Sequence, residues 1–352
     1  MRIGSRDIGV GLRPYVIAEV GVNHDGDPAR AVSLIEAAAR AGADAVKFQC
    51  FRADLLLSGA ARLALYQRAA GARDPFDLLS KLELDEAALS QAIDRAHALD
   101  LHAIVTVFSV ELVESMARLG WDAFKTASPD IINKPLIDSL LDLGRPLILS
   151  TGAATVAEIE RALGWVHGAA NVALMQCVSA YPTPDCSAAL GGIRALSRLT
   201  DAPIGYSDHT SAIDTGALAV ASGARLLEKH LTHDRAAPGP DHAASLDPAQ
   251  FAEYVRLARR AWEMLGAEAK LVLPIEGDVR EVSRQSIVTA RAMARGQRLS
   301  REDVTIKRPG GGIEPWRLEE LIGLVAARDL PADRPILPGD LSCAPAPVAL
   351  SR

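Results

Sequence analysis

Short apolar runs alternate with longer amphipathic stretches along most of the chain. Eight such runs are apolar enough to be buried strands, and the stretches between them carry apolar residues at helical spacing. A strand–helix alternation repeated about eight times is typical of a closed parallel barrel of the α/β class. The pattern therefore predicts a (β/α)8 barrel with the strands YVIAEV, DAVKFQ, LHAIVT, DAFKTA, PLILST, VALMQC, PIGYSD and RLLEKH.

Two Asp-Pro pairs, at residues 27–28 and 247–248, mark the starts of helices in this alternation. An aspartate caps the first turn, and a proline fits the first helical position because no backbone N–H is needed there. The two helices are predicted to end at Gly42 and Gly266, since glycine commonly follows the last helical residue.

The chain changes in character after the last amphipathic helix. Residues 271–283 keep neither a helical nor a strand period and are predicted to be a linker. Residues 284–345 hold short β-prone pieces, a turn at 295–296 and the glycine run 310–312, which predicts a second, small domain with little helix. We therefore divide the chain into a barrel domain (1–270), the linker and the small domain, followed by a frayed tail.

The composition is that of an ordinary globular protein with a large core, since 49% of the 352 residues are hydrophobic and 23% are charged. A net charge of −6 argues against non-specific nucleic-acid binding, and no segment has the length and apolarity of a membrane span. The cysteines at 50, 177, 186 and 343 have neither CxxC nor zinc-finger spacing, so we predict no disulfide framework and no structural zinc. Because the first residues show no signal-peptide pattern, the expected location is the cytoplasm.

Two histidines lie at the ends of adjacent runs, and closure of a barrel brings all such ends to one face. They are His209 in GYSDHT and His230 in LLEKH. Two neutral imidazoles with a carboxylate or water suit manganese, zinc or iron better than magnesium or calcium. A single histidine is more often a hydrogen-bonding core residue, but the pair is a candidate metal site, with Glu19 as a third ligand or an acid–base group.

Lys47 and Lys125 end the second and fourth runs. Burying two ammonium groups at the mouth of a barrel costs free energy unless anions lie beside them. The two lysines therefore indicate a substrate with a phosphate or carboxylate group. Serines 128, 150 and 207, also near run ends, are candidate hydrogen-bond donors to that anion. The alternatives are an ion pair of each lysine with a nearby carboxylate, helix caps for the serines, and a Schiff-base aldolase.

Three further candidates lie in predicted loops. Asp241 follows the eighth run in a segment rich in glycine and proline, where an acid can bind a polyhydroxylated ligand. Tyr181 follows the sixth run, and Arg308 lies beside the glycine run of the small domain, from where it can reach a neighbouring active site. Their ordinary alternatives are a turn former, a solvated loop residue and a surface arginine.

In these segments the chain resembles the N-acetylneuraminate (sialic acid) synthase family, which includes legionaminate, pseudaminate and spore-coat polysaccharide synthases. The resemblance implies a (β/α)8 TIM barrel followed by a small antifreeze-like SAF (β-clip) domain. It also implies a domain-swapped homodimer, in which each small domain caps the barrel of its partner. The matching motifs are IAEVGVNHDGD, AGADAVKFQ, DAFKTASPD, NKPLI, LILSTGAAT, CVSAYPTP, IGYSDHT, EKHLTHD, PGPDHAAS and VTIKRPGGGI.

The resemblance further implies a reaction and a set of roles. The family condenses phosphoenolpyruvate with the open-chain aldehyde of an N-acyl hexosamine, such as N-acetylmannosamine, and releases phosphate. By matched position, His209 and His230 would bind a divalent metal, with Mn²⁺ expected ahead of Mg²⁺ or Co²⁺. The other roles would fall to Lys47, Lys125, Ser128, Ser150 and Ser207 for phosphoenolpyruvate, to Tyr181, Asp241 and Arg308 for the sugar, and to Glu19, Gln49 and Asp130 for catalysis.

The chain departs from the family pattern at Asp130, where many relatives have a glutamate. The shorter carboxylate reaches less far, which leaves a proton-transfer or water-positioning role open. The long connection at 52–82 and the region 266–283 match weakly, so the hexosamine is not identified. Two alternatives remain, namely another synthase that condenses phosphoenolpyruvate with an aldose, and a non-catalytic carbohydrate-binding relative.

Overall fold

The predicted barrel is confirmed in a computed structural model, which describes residues 1–64, 67–68 and 71–343. Eight parallel strands close into one barrel, because the last strand pairs with the first. The strands are buried along nearly their whole length, as expected for a parallel sheet covered by helices. They are β1 Tyr15–Gly21, β2 Ala45–Cys50, β3 His102–Val107, β4 Ala123–Lys125, β5 Leu147–Ser150, β6 Val172–Cys177, β7 Ile204–Asp208 and β8 Leu226–His230.

A helix follows each strand. The two helix starts predicted from Asp-Pro pairs are confirmed, and Gly42 ends the first helix in the left-handed conformation. No helix of the described ranges has the length and apolarity needed to cross a bilayer. The helices are α1 Pro28–Ala41, α2 Glu86–His97, α3 Val113–Ala117, α4 Lys134–Leu141, α5 Val156–Trp165, α6 Gly191–Leu196, α7 Thr215–Ala221 and α8 Pro248–Leu265.

The connection between β2 and α2 is the long segment noted at 52–82. It contains two short helices, Ala53–Leu56 and Pro75–Ser80. Leu82 packs with Val22 and Phe51 in a small apolar cluster separate from the main core. This cluster anchors the connection beside the carboxyl ends of β1 and β2.

The inside of the barrel is apolar at its amino-terminal end. Side chains such as Ile17, Ile104, Ile148 and Leu226 form a buried cluster there. An amino-terminal hairpin, Arg2–Ile3 paired with Arg6–Asp7, adds Ile3 and Ile8 to the same cluster. With that end filled by side chains, the polar residues occupy the carboxyl-terminal end, which is where barrel enzymes place their active sites.

The chain divides into two compact units, Met1–Glu268 and Ala269–Arg352. The second unit has its own small core, which includes Ile287, Leu299 and Ile336. In the stretch expected to be a linker, Pro274–Glu276 form a 3-10 turn and Gly277–Ser283 a short helix. The tail from residue 344 onward, predicted to be frayed, lies outside the described residues. The other elements of the second unit are β9 Ser286–Thr289, β10 Val304–Lys307, β11 Val325–Ala326, β12 Leu341–Ser342 and the helical turn Leu318–Leu321.

Candidate active site

A cavity of about 330 Å³ lies at the carboxyl ends of the barrel strands. It is lined by all but two of the predicted site residues, although these come from β1 to β8 and the loops that follow them. The convergence expected from barrel closure is therefore found. The predicted residues in the lining are Glu19, Lys47, Gln49, Lys125, Ser128, Ser150, Tyr181, Ser207, His209, His230 and Asp241.

Two lysines and two glutamates form a buried charge cluster in this cavity. The Lys47 ammonium lies 2.8 Å from Glu19 Oε2 and 3.8 Å from Glu228 Oε1. The Lys125 ammonium lies 3.4 Å from the same Glu228 oxygen. The ion-pair alternative raised for Lys47 is thus present, and the four charges balance one another, as buried charges must.

The pKa values of the two glutamates are shifted in opposite directions. Burial raises the pKa of Glu19, and the Glu228 carboxylate adds to the shift while Lys47 opposes it. Burial also acts to raise the pKa of Glu228, but Lys125 and Lys47 outweigh it and hold that pKa below its usual value. Glu19 therefore takes up a proton more readily, whereas Glu228 stays ionised. Such separation of neighbouring pKa values is typical of acid–base sites.

Hydroxyl and amide groups surround the charged cluster. The Lys47 ammonium donates to Thr106 Oγ1 over 2.7 Å, and Ser207 Oγ donates to Glu228 Oε1 over 3.1 Å. The hydroxyls of Ser128 and Ser150 are 2.9 Å apart. Gln49 Nε2 donates to Glu19 Oε1 over 2.9 Å. The predicted serines thus line the same cavity as the lysines, as an anion site requires.

The two predicted metal-binding histidines face each other, with ring centroids 5.5 Å apart. His209 Nδ1 donates to the Val178 carbonyl over 2.8 Å, an assignment that leaves the lone pair on Nε2. His230 Nδ1 is buried and has no hydrogen-bond partner. Burial lowers the pKa of His230 well below its usual value, and His209 adds to the shift, so this ring is neutral.

The neutral His230 ring and the Nε2 lone pair of His209 fit a divalent metal, because a metal ligand must be deprotonated and have an unused lone pair. Burial acts to lower the pKa of His209, but Cys177 outweighs it and raises that pKa, so a metal would have to displace a proton from this ring. Asp241 Oδ2 lies 3.6 Å from His230 Nδ1 and is the nearest carboxylate oxygen recorded for that ring. Within the described residues, no three His, Cys, Asp or Glu side chains are grouped so that they could hold an ion by themselves. Water or substrate oxygens would therefore complete the coordination of a metal here.

The predicted sugar contacts of the barrel adjoin the histidines. The Tyr181 ring centroid is 4.1 Å from that of His209 and 6.0 Å from that of His230. Asp241 is buried, and burial raises its pKa to about 6, with Glu19 adding to the shift. Cys177 lies buried beside His209, with its sulfur 3.7 Å from Nδ1.

Asp130 and Arg308 are the two predicted site residues that do not line the cavity. Asp130 is half-buried in the 3-10 segment Ser128–Ile132, where burial raises its pKa to about 6 and Asn133 and Lys125 only partly oppose the shift. Arg308 belongs to the second unit, and its side chain is exposed. The catalytic role of Asp130 and the sugar contact of Arg308 therefore stay predictions.

Sequence analysis assigns no role to Glu228 or Thr106, yet both line the cavity. A signal for each exists in the sequence. Glu228 precedes His230 by two positions in one strand, so alternation places both side chains on the same face. Thr106 ends the third run and is paired in register with Gln49 and Lys125.

Comparison with known proteins connects this geometry to a family. Residues 34–270 match the NeuB family, and residues 284–342 match the SAF domain. The chain is 37% identical to the N,N'-diacetyllegionaminic acid synthase of Campylobacter jejuni, over 91% of this chain and 98% of that protein. It is 34% identical to the synthase of the same name from Legionella pneumophila, over 95% of this chain and 96% of that protein.

Solved structures agree with the sequence matches. The N-acetylneuraminic acid (sialic acid) synthetase of Leptospira borgpetersenii superposes with a TM-score of 0.73 at 31% identity, covering 79% of this chain and 94% of that chain. A putative spore coat polysaccharide biosynthesis protein E from Chromobacterium violaceum superposes with a TM-score of 0.79 at 26% identity, covering 94% and 100%. The resemblance seen in the motifs and the predicted SAF domain are thereby confirmed. This chain belongs to the NeuB family and is an enzyme of the sialic acid synthase type.

Proposed function

We propose that the enzyme condenses phosphoenolpyruvate with the aldehyde of an N-acyl hexosamine resembling N-acetylmannosamine, giving a nonulosonic acid and phosphate. The observation that supports this most is the pair of buried ammonium groups, Lys47 and Lys125, on either side of Glu228. Two cations held together in a barrel mouth suit a ligand with several negative charges. The names of the Campylobacter and Legionella relatives support the same class of product.

Phosphoenolpyruvate would bind against the two lysines, with the hydroxyls of Ser128, Ser150 and Ser207 donating to its oxygens. Before it arrives, Glu19 and Glu228 hold the ammonium groups in place. The incoming anion competes with these carboxylates for the same cations. This competition limits the affinity, so the site orients the substrate without retaining the phosphate that is released.

In the proposed reaction, C3 of phosphoenolpyruvate attacks the aldehyde carbon, and the aldehyde oxygen gains a proton as the carbon–carbon bond forms. Water adds to C2 and loses a proton, and the tetrahedral carbon then expels phosphate by cleavage of its C–O bond, while the C2 hydroxyl becomes the ketone and its proton leaves with the phosphate. One proton is taken up and one is released at neighbouring atoms. We assign both transfers to Glu19, because its pKa is raised and Gln49 orients its carboxylate.

The proposal includes a divalent metal, which His209 and His230 would hold. Mn²⁺ suits two imidazoles and oxygen ligands better than Mg²⁺, and Co²⁺ would also bind. When bound, the metal would polarise the aldehyde oxygen and hold a water molecule. Tyr181 and Asp241, which adjoin the histidines, would orient the sugar hydroxyls around that aldehyde.

We also propose that the enzyme is a cytoplasmic homodimer with exchanged small domains. The segment between the last barrel helix and the small domain exposes many apolar side chains, including Leu271 (57%), Ile275 (87%) and Val279 (60%). An exposed apolar patch of this kind is typical of a protein–protein interface. A second copy covering it would bring its own Arg308 to the sugar.

The proposed reaction is tested by phosphate release from phosphoenolpyruvate, with a panel of N-acyl hexosamines and mass spectrometry of the products. We expect release that needs both an N-acyl hexosamine and Mn²⁺. Release only with a sugar phosphate of another chain length would instead identify a different phosphoenolpyruvate-condensing synthase. Sugar binding without turnover of any aldose would identify a non-catalytic relative.

Replacing His230 by alanine tests the metal role separately. We expect this variant to fold but to lose Mn²⁺-dependent turnover, because only one imidazole would remain. The measurements are circular dichroism and phosphate release with and without added Mn²⁺. Substantial Mn²⁺-stimulated activity in the variant would rule out His230 as a ligand.

A further inference from the structure

Strands β7 and β8 carry a buried ion pair next to the two imidazoles but outside the cavity. Asp208 and Lys229 are both fully buried, and their backbones form the last pair of the β7–β8 ladder. The Lys229 ammonium lies 3.1 Å from Asp208 Oδ2. It also lies 5.6 Å from the ring centroid of Tyr254 in α8, so the pair is enclosed between the barrel wall and the helix layer.

The contacts of Lys229 converge on the two residues that flank His209. Its ammonium donates to the Thr210 carbonyl over 2.5 Å and reaches the Thr210 hydroxyl at 3.4 Å. Asp208 Oδ1 accepts hydrogen bonds from the backbone N–H and the hydroxyl of Thr210, at 2.9 and 2.8 Å. Residues 208–210 therefore form a short turn, and the Lys229 ammonium on β8 holds this turn by hydrogen bonds and an ion pair.

Strand pairing alone does not fix His209 relative to β8. The β7–β8 ladder ends at Asp208 and Lys229, so His209 lies beyond its last pair. On its other side, the His209 carbonyl accepts from the Thr183 N–H over 2.8 Å, which attaches it to the loop after β6. Among the described residues, Lys229 makes the polar side-chain contacts between β8 and the turn 208–210 that carries His209.

We infer that Lys229 is a positioning residue, which fixes the imidazole of His209 relative to that of His230; this inference rests on the proposed metal site. Lys229 immediately precedes His230 and holds both neighbours of His209, so one side chain links the two imidazoles. A buried ion pair contributes little net stability, and specifying one arrangement of the chain is its best-attested use. Partners that orient metal ligands commonly affect metal affinity strongly.

Lys229→Met tests this inference, because methionine keeps much of the apolar stem and removes the ammonium. We expect the Kd for Mn²⁺, measured by electron paramagnetic resonance of the free ion, to rise about 10–100-fold in a folded protein. The visible absorption of bound Co²⁺ should also change, because the positions of the two imidazoles change. Both measurements report the site without turnover.

Arg259→Met is the matched control. Arg259 donates to the Gly42 carbonyl near Asp44, at the amino-terminal end of the barrel, so its loss weakens the barrel far from the histidines. We expect this control to lower Tm and to leave the Mn²⁺ Kd within about twofold of the wild-type value. An equal rise of Kd in both variants would show general loosening and would overturn the positioning role.

Asp208→Asn provides a second measurement if Lys229→Met fails to fold. It keeps the side-chain oxygen that caps the turn but removes the charge that pairs with Lys229, so a weaker rise of the Mn²⁺ Kd is expected. Wild-type affinity in whichever of these variants folds would overturn the positioning role alone. Failure of the wild-type protein to bind Mn²⁺ would overturn the proposed metal site itself.

Discussion

Glu228 is the residue on which the charge balance of the barrel mouth depends. Its Oε1 lies within 4 Å of both ammonium groups and accepts from Ser207. Lys47 has a second carboxylate in Glu19, whereas Glu228 is the one recorded for Lys125 among the described residues. A neutral side chain at position 228 would therefore leave one buried cation without its partner.

Glu228→Gln keeps the side-chain size and removes that charge. We expect a loss of about 3–5 kcal/mol in the free energy of unfolding, because one partner of a buried ion pair is removed. Inorganic phosphate should raise the Tm of this variant more than that of the wild type, since the anion replaces the missing charge. Scanning fluorimetry with and without phosphate measures both effects.

The matched control for this prediction is Glu253→Gln. Glu253 forms a bidentate pair with Arg256 on the surface of α8, and a solvent-exposed pair contributes little to stability. The control should show a small change in Tm and the wild-type response to phosphate. An identical response of the two variants would contradict the charge-balance argument.

Asp130 gives the stability of the protein a defined pH dependence. Burial raises its pKa to about 6, from an ordinary value near 4. Between about pH 4 and pH 6, the folded protein therefore keeps a proton on Asp130 that the unfolded chain has lost. The stabilisation from this group is present below about pH 4 and is lost as the pH rises through about 6. Near pH 7, the ionised Asp130 carboxylate destabilises the folded protein.

Asp130→Asn removes this titration. Relative to the wild type, the variant should become more stable as the pH rises from about 5 to about 7, by about 1 kcal/mol. Thermal unfolding of both proteins across this range measures the difference. A constant difference in Tm would show that the Asp130 pKa is not raised in the folded protein.

The strands were the elements easiest to predict, because a parallel strand buried on both faces is a continuous apolar run. Each of the eight predicted runs overlaps a barrel strand, although β4 keeps only Ala123–Lys125 of its run. The helices with explicit caps, α1 and α8, were also predicted with their ends. The conformation of the connection at 52–82 could not be predicted, since its apolar residues follow no single period.

Which residues of the site contact one another is harder to predict than which residues belong to the site. Strand ends identified Lys47, Lys125 and both histidines as neighbours, but not that Glu228 joins the two lysines. That contact links β2, β4 and β8 across the barrel, so it depends on strand register and closure rather than on local sequence. The catalytic role of Asp130 stays a prediction, because its motif matches the family while its side chain lies outside the cavity lining.

Helices α7 and α8 pack closely at Gly216. A Cβ atom added there would lie 2.4 Å from Cζ of the Tyr254 ring, which is a large and fully buried side chain. The two helices can approach only because this position has no side chain. Since Tyr254 also covers the Asp208–Lys229 pair, this contact supports the outer side of the candidate metal site.

Gly216→Ala should lower the free energy of unfolding by about 1–3 kcal/mol, because the added methyl group forces Tyr254 and α8 outward. Gly164→Ala in α5 is the matched control, since a Cβ there meets nothing within 4 Å. The control should be neutral or stabilising by about 0.5–1 kcal/mol, as alanine favours the helix more than glycine. Chemical unfolding of both variants measures these changes, and equal destabilisation would contradict the packing explanation.

The first residues of the second unit expose apolar side chains, at Ile275 and Val279 among others. Charged substitution of both, Ile275→Asp with Val279→Asp, should convert the proposed homodimer into a monomer, because a buried charge would be unpaired in the interface. Light scattering after size exclusion measures the mass. The monomer should also show a raised KM for the sugar, since Arg308 of the second copy is lost.

A single substitution at an exposed polar position of the short helix Gly277–Ser283, Arg280→Asp, controls for the change in charge, because it makes the net charge more negative by two, as the double variant does. It should leave the mass at that of a dimer. A monomeric wild-type protein, or a dimeric Ile275→Asp, Val279→Asp variant, would contradict the proposed assembly.

The seam that closes the barrel joins the first strand to the last, and its final rung pairs Glu19 with His230. A ribosome makes β1 first and β8 last, so nearly all of the barrel must be translated before this rung can form. Until then, β1 has an open edge and Glu19 and Lys47 lack part of their enclosure, which is a state prone to association with other chains. Emergence of β8 from the ribosome therefore allows the barrel to close and brings His230 beside Glu19, and a chain that ends before β8 can do neither.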